Sequence, residues 1–179
     1  LNRAQTLVNM GNYDAAMTDF NKILQINPQY IKAYIGRGTL YCDVLKNHNR
    51  AFADFSRAIE INPNYADAHF NLGNVRLARG DPYGAIADYT RAINIDPNFA
   101  PAYLSRGSLY CDVLKNYSHA FADFSRAIEI NPRYAAAHAN RGLVRLAKGD
   151  PNGAITDCDQ AINIDPNFAL AYLYRGHAK

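Results

Sequence analysis

The chain has 179 residues, 49% of them apolar and 20% charged, and a net charge of +3 with acids and bases interleaved. That composition excludes intrinsic disorder and supplies no cationic field to hold nucleic acid or an anionic membrane. No run approaches the roughly eighteen apolar residues of a membrane span, and three cysteines without CxxC or Cys/His spacing argue against a disulfide framework.

In chain order, AAMTDFNKILQINP ends at Pro28, AFADFSRAIEINP at Pro63, AIADYTRAINIDP at Pro97, AFADFSRAIEINP again at Pro132 and AITDCDQAINIDP at Pro166. The prolines are 35, 34, 35 and 34 residues apart. A fixed period of that size predicts a solenoid of stacked units, one array and not separate globular domains. The units are about 1–30 (partial), 31–65, 66–99, 100–134, 135–168 and a capping piece at 169–179. Leu1 and Lys179 both fall inside helical patterns, so the chain reads as a piece of something longer, and a targeting sequence could lie upstream. The cysteines Cys42, Cys111 and Cys158 suit a reducing, cytoplasmic setting.

Within a unit the pattern predicts helix, turn, helix. Between Tyr65 and Arg79 the residues Ala68, His69, Leu72, Val75 and Leu77 recur at helical spacing, and Gly80-Asp81-Pro82 stops that helix and starts the next. Asp81 is placed to cap the second helix, with Pro82 where its missing donor costs nothing, and Asp150-Pro151 repeats the device. The second helix ends at Asp96, which Pro97 pushes out of helical conformation. Gly73, Ala85, Gly107 and Ala120 predict close approach of the paired helices.

A longer repeat is superposed. Residues 33–100 match 102–169 at an offset of 69 with roughly three-quarters identity, which indicates duplication of a pair of units. The units closing at Pro63 and Pro132 carry one extra residue between their helices, and Asn47 and Asn116 are the predicted left-handed caps there.

The set His69, Leu72, Gly73, Arg76, Ala85, Tyr89, Ala92 and Pro97 resembles the tetratricopeptide repeat, whose signature is W-x2-L-G-x2-Y, A-x3-F and a closing proline. Further copies follow in phase at Tyr34, Gly38, Tyr41, Ala51 and Phe55, at Tyr103, Gly107, Tyr110, Ala120 and Phe124, and at His138, Gly142, Arg145, Ala154 and Cys158. The resemblance covers the whole chain and implies an all-α, right-handed superhelical solenoid. Tyr or His replaces the signature Trp, and Cys158 takes the place of a large aromatic, which predicts looser packing around it.

No catalytic constellation or metal set emerges, and no cofactor is implied. His69 and His138 occupy the signature's aromatic position and are read as packing residues, while His48 and His119 lie in the connectors without ligands at metal spacing. The recurring Asp54, Asp88, Asp123 and Asp157 are read as structural partners of the recurring Arg37, Arg106 and Arg141.

The resemblance implies instead a non-enzymatic scaffold or adaptor that takes a peptide or an amphipathic helix in a concave groove lined by the first helices. Carried over by position, the groove residues are Lys32, Ile35, Thr39 and Asp43, then Phe70, Asn71 and Asn74, then Leu104, Ser105, Ser108 and Asp112, then Asn140 and Leu143. Phe70, Pro101 and Ala136 stand where chaperone-binding members carry lysine, so a chaperone's C-terminal carboxylate is not the expected ligand. Asn71 and Asn140 sit where some members present an asparagine ladder to a peptide backbone, a ladder interrupted here by Gly36 and Ser105. Two rivals stand beside this reading: the targeting module of a larger enzyme, and a self-association module stacking end to end.

Overall fold

The computed structural model describes all 179 residues, as eleven helices and no strand. They form two compact units, residues 1–95 and 96–179. The first holds α1 (Asn2–Asn9), α2 (Tyr13–Ile26), α3 (Ile31–Asp43), α4 (His48–Ile61), α5 (Ala66–Ala78) and α6 (Pro82–Ile95). The second holds α7 (Ala100–Asp112), α8 (Tyr117–Ile130), α9 (Ala135–Ala147), α10 (Pro151–Ile164) and α11 (Ala169–His177). Each odd-numbered helix up to α9 packs on its successor as a hairpin, and within each unit a hairpin packs on the next. No helix is long and apolar enough to cross a membrane.

The hairpins close on small residues facing a large one. The Cβ that Gly38 lacks would stand 2.7 Å from the Phe55 ring, and that of Gly73 would stand 2.7 Å from Tyr89 and 3.3 Å from the Ala85 carbonyl. Phe20, Phe55, Tyr89 and Phe124 are all but fully buried, and so is Cys158. The looser packing expected at Cys158 is not what the hairpin adopts. The missing Cβ of Gly142 would lie 3.1 Å from both the Cys158 sulfur and the Ala154 carbonyl, so the smaller side chain is met by a closer backbone.

Every second helix ends the same way, because asparagine or aspartate before proline cannot continue it. Asn27, Asn62, Asn131 and Asp165 are extended, and each side-chain oxygen accepts from the backbone N–H two residues on at 3.0–3.1 Å; Asp96 makes the same bond at 2.9 Å. In four of the five cases the next helix then ties back to the proline, while the Pro97 carbonyl accepts from Arg126 Nη2 at 3.4 Å. Tyr34 donates to the Pro28 carbonyl at 3.2 Å and Tyr172 to that of Pro166 at 3.0 Å, while His69 and His138 meet those of Pro63 and Pro132 through Nε2 at 2.9 and 3.1 Å. A carbonyl only accepts, so each of these histidines donates from Nε2. The signature's aromatic position therefore asks for an aromatic ring with a donor, which Tyr and His supply as Trp would.

The connectors inside hairpins correct one expectation. Asn47 and Asn116 are N-caps, with side chains accepting from Arg50 and His119 N–H at 3.1 and 3.2 Å. The left-handed residues are the preceding Lys46 and Lys115, both at φ 51°, where Gly11, Gly80 and Gly149 serve the other hairpins at φ 76–80°. An amide oxygen within reach of an orphan helix N–H is worth more as a cap than as a left-handed residue. Asp81 and Asp150 cap α6 and α10 through Gly84 and Gly153 N–H, both at 2.8 Å.

Candidate functional site

In the first unit, Lys32, Ile35, Thr39 and Asp43 fall on one face of α3 and form one wall of a cleft of about 350 Å³. The spacing of three or four residues, one helical turn, aligns them. Leu1, which precedes α1, and Asn2, Gln5 and Val8 of α1 make the opposite wall, with Leu40, Val44 and Tyr65 completing the lining. Gly36 belongs to the lining too, and its missing Cβ leaves room for the Phe20 ring, which would stand 2.6 Å from it. Lys32 is exposed in the first turn of α3 and Asp43 is exposed at its last residue. Both charges oppose the helix dipole, which favours an acid at the start and a base at the end.

Phe70, Asn71 and Asn74 lie on α5 and are not among the residues lining this cleft. Phe70 is half-buried with its ring 5.6 Å from that of Tyr89. Asn71 donates to the Asp67 carbonyl of its own helix at 2.8 Å, and Asn74 accepts the Tyr89 hydroxyl at 2.8 Å.

The second unit gathers four candidates in a smaller niche. Ser108 and Asp112 of α7 and Asn140 and Leu143 of α9 line about 40 Å³ with Cys111, Phe124 and Tyr174. Asn140 donates to the Ser108 hydroxyl at 3.4 Å, and that hydroxyl donates to the Leu104 carbonyl at 3.0 Å. Leu104 packs with Leu143 against the buried Cys111, Ala120, Phe124 and Val144, and Ser105 is half-buried beside it on α7. Apolar contact is thus open in the first unit and largely filled in the second.

The buried acids hold the hairpins together. Arg37 grips Asp54 with two bonds of 2.9 and 2.6 Å, Arg106 grips Asp123 and Arg141 grips Asp157, each with bonds of 2.9 and 2.7 Å. These are the forked pairs that a guanidinium forms best with a carboxylate. The fork to Asp54 raises the pKa of Arg37. The cysteines are unbridged, and burial pushes all three thiols up, Cys158 to about 11, so they stay protonated and weakly nucleophilic.

Two features lie outside the sequence expectations. His48 opens α4 instead of lying in the turn, and its Nδ1 stands 3.9 Å from the Cys42 sulfur across the connector, a meeting that six residues of separation do not announce. Leu72 replaces the gripping arginine of α5, and its partner Asp88 is fully buried without a fork. Arg76 Nη1 comes within 3.0 Å of Oδ2, yet no donor is aligned on either carboxylate oxygen. Burial pushes the Asp88 carboxyl above its ordinary range, against the lowering field of Arg76 and His69. The sequence does carry a signal for this site: arginine before the helical glycine recurs at residues 37, 106 and 141 and fails at 72.

Tetratricopeptide repeat profiles match residues 1–30, 66–99 and 114–169, and a TPR repeat profile matches residues 45–80. No curated protein sequence matches the chain. Among solved structures, MamA superposes with a TM-score of 0.77 at 23% identity, covering 93% of this chain and 96% of that one. TTC0263, a thermophilic TPR protein of Thermus thermophilus, gives 0.75 at 22% identity over 99% and 96%. YrrB, described as a TPR protein with an unusual peptide-binding site, gives 0.73 at 25% identity over 98% and 90%. Repeat profiles in both units, paired helices closed on glycine and ended by Asn/Asp-Pro, and all-helical relatives of the same build lead to one conclusion: the chain belongs to the tetratricopeptide-repeat family.

Proposed function

We propose that the chain is a non-enzymatic protein-interaction module that holds a peptide or an amphipathic helix of a partner protein, with the α1–α3 cleft as its principal contact in the first unit. The observation that carries this reading is the cleft's chemistry. An apolar floor of Ile35, Leu40 and Val8 lies between an exposed cation, Lys32, and an exposed anion, Asp43. Both charges sit at helix ends that would be more stable without them, by about 0.3–1 kcal/mol each. Residues kept against the interest of their own helix are explained by a ligand that pairs with them. The partner segment then offers an apolar anchor with an acid on the Lys32 side and a base on the Asp43 side. The peptide-binding site ascribed to YrrB supports a ligand of this class.

The test is selection of a random peptide library on the immobilised chain, run in parallel on the wild type and on Lys32→Glu/Asp43→Lys. The wild type is expected to enrich peptides with an acid, an apolar anchor and a base in that order, and the reversed variant the opposite order, with unchanged helical circular dichroism. Peptides that bind both proteins equally well would sink the reading.

A second reading rests on α11, where Leu170, Tyr172 and Leu173 are each more than two-fifths exposed. An apolar helix face of that kind suits self-association. Sedimentation over a concentration series decides it, since a monomer throughout removes it.

A further inference from the structure

In the first unit the connector that carries a left-handed lysine borders a second unpaired cation, Arg79 at the end of α5. Three hairpins place glycine at this position, the residue that adopts it without strain, and two place Lys46 and Lys115. Lys46 lines a shallow cleft of about 500 Å³ with His48 and Arg79. Arg79 also borders a second cleft of about 440 Å³ with Phe52, Arg76 and Asp81. None of these residues lines the α1–α3 cleft.

The guanidinium of Arg79 lies 4.9 Å from the centre of the half-buried Phe52 ring. Stacking of that kind fixes the cation while leaving its in-plane donors for an acceptor. The ion pairs of the first unit go to Arg3, Arg37, Arg57 and Arg76, not to Arg79 or Lys46. Asp81, the acid at the edge, already caps α6. The second unit carries the corresponding residues, with Lys148 5.4 Å and Arg145 5.8 Å from the Phe121 ring centre and Lys115 in the left-handed turn. Lys148 and Lys115 are likewise outside that unit's ion pairs.

We propose that in each unit this aromatic-backed cationic edge is a second docking surface, for an acidic segment of a partner protein, whose Asp or Glu carboxylates are taken by Arg79 and Lys46 in the first unit and, separately, by Lys148 and Lys115 in the second. Charge complementarity and the fork geometry of a stacked guanidinium select a carboxylate. Nucleic acid fits less well. The rings lie under the cations and are not free to stack bases, and two unpaired cations per unit do not make a phosphate track.

The experiment is fluorescence anisotropy with a labelled glutamate-rich peptide and its glutamine-for-glutamate counterpart. The glutamate peptide is expected to bind wild type at least about tenfold tighter. Lys46→Gly/Arg79→Gln/Lys115→Gly/Lys148→Gln should bring the two peptides level while keeping the helical signal, because glycine suits the left-handed turns. Arg57→Gln/Arg126→Gln, which removes cations already paired with Glu60 and Glu129, should leave the preference intact. Equal binding of both peptides to wild type overturns the proposal, as does an equal loss in the paired-cation control. Tighter binding of a single-stranded oligonucleotide that displaces the peptide overturns it in favour of nucleic acid. Loss of the preference in Lys32→Glu/Asp43→Lys overturns it too, by moving the acid to the α1–α3 cleft.

Discussion

Asp88 and Asp157 occupy the same place in their hairpins and have opposite surroundings. Asp157 is gripped by Arg141, with Arg145 Nη1 at 3.4 Å and His138 Nδ1 at 3.7 Å, and these partners outweigh burial to hold its carboxyl below the usual range. Asp88 has lost the fork to Leu72, which packs instead with Ala51, Phe55 and Val75. Burial of a leucine there is worth about 1.5–3 kcal/mol and replaces what the fork would have given. The signs follow by linkage. A lowered folded pKa means that Asp157 contributes stability above the ordinary carboxylate value, about 3.9, and loses it as pH falls through the folded value. A raised folded pKa means that ionised Asp88 costs stability above that raised value, and the cost fades as pH falls from it towards about 3.9. Asp157→Asn is therefore expected to cost about 3 kcal/mol at neutral pH, because it strands a half-buried guanidinium, while Asp88→Asn is neutral or stabilising by up to about 1 kcal/mol. Urea unfolding at neutral and mildly acid pH checks both, and the advantage of Asp88→Asn should shrink on the acid side.

At the scale of the element, the left-handed lysines make a stability prediction independent of any ligand. Lys46→Gly should raise the unfolding free energy by about 0.5–1 kcal/mol, the strain relieved less the entropy that glycine adds to the unfolded chain. Gly80→Ala should lower it by about 1 kcal/mol, although no neighbouring atom lies within 4 Å of the added carbon. Thermal melts of the two variants measure opposite shifts from one backbone conformation. The helices were legible in the sequence because each is bounded by residues with a mechanical role: α6 runs from Pro82 to Ile95 as Asp81-Pro82 and Asp96-Pro97 require. The left-handed position was not legible, since Lys46 carries no propensity for it and is placed there by the length of the connector and by Asn47 taking the cap. Of the candidate groove residues, the α3 set aligned by helical period alone. The engagement of Asn71 and Asn74 was hidden because it depends on where Asp67 and Tyr89 present an acceptor and a donor.

For the molecule as a whole, the relevant property is how far a local lesion travels. Contacts in a repeat array run between neighbouring hairpins, so stability is a sum of hairpin terms and nearest-neighbour terms, and damage decays along the chain. Gly73→Ala supplies a clean lesion. Its added carbon meets the Tyr89 ring at 2.7 Å and the Ala85 carbonyl at 3.3 Å, and the backbone carbonyl cannot turn aside as a side chain could. Overpacking of this kind costs about 1–3 kcal/mol, against a gain in helix propensity of about 1 kcal/mol. Native-state hydrogen exchange should show the loss in the amides of α4, α5 and α6, while those of α9 and α10 keep their wild-type protection. The reciprocal lesion, Gly142→Ala, is met by the Ala154 carbonyl and the Cys158 sulfur at 3.1 Å and should reverse the pattern. Loss of protection spread evenly over all helices in either variant would mean that the chain unfolds as one block, and that the division at residue 95 has no energetic counterpart. A local pattern would instead mean that the cationic edge of one unit can be altered without disturbing that of the other.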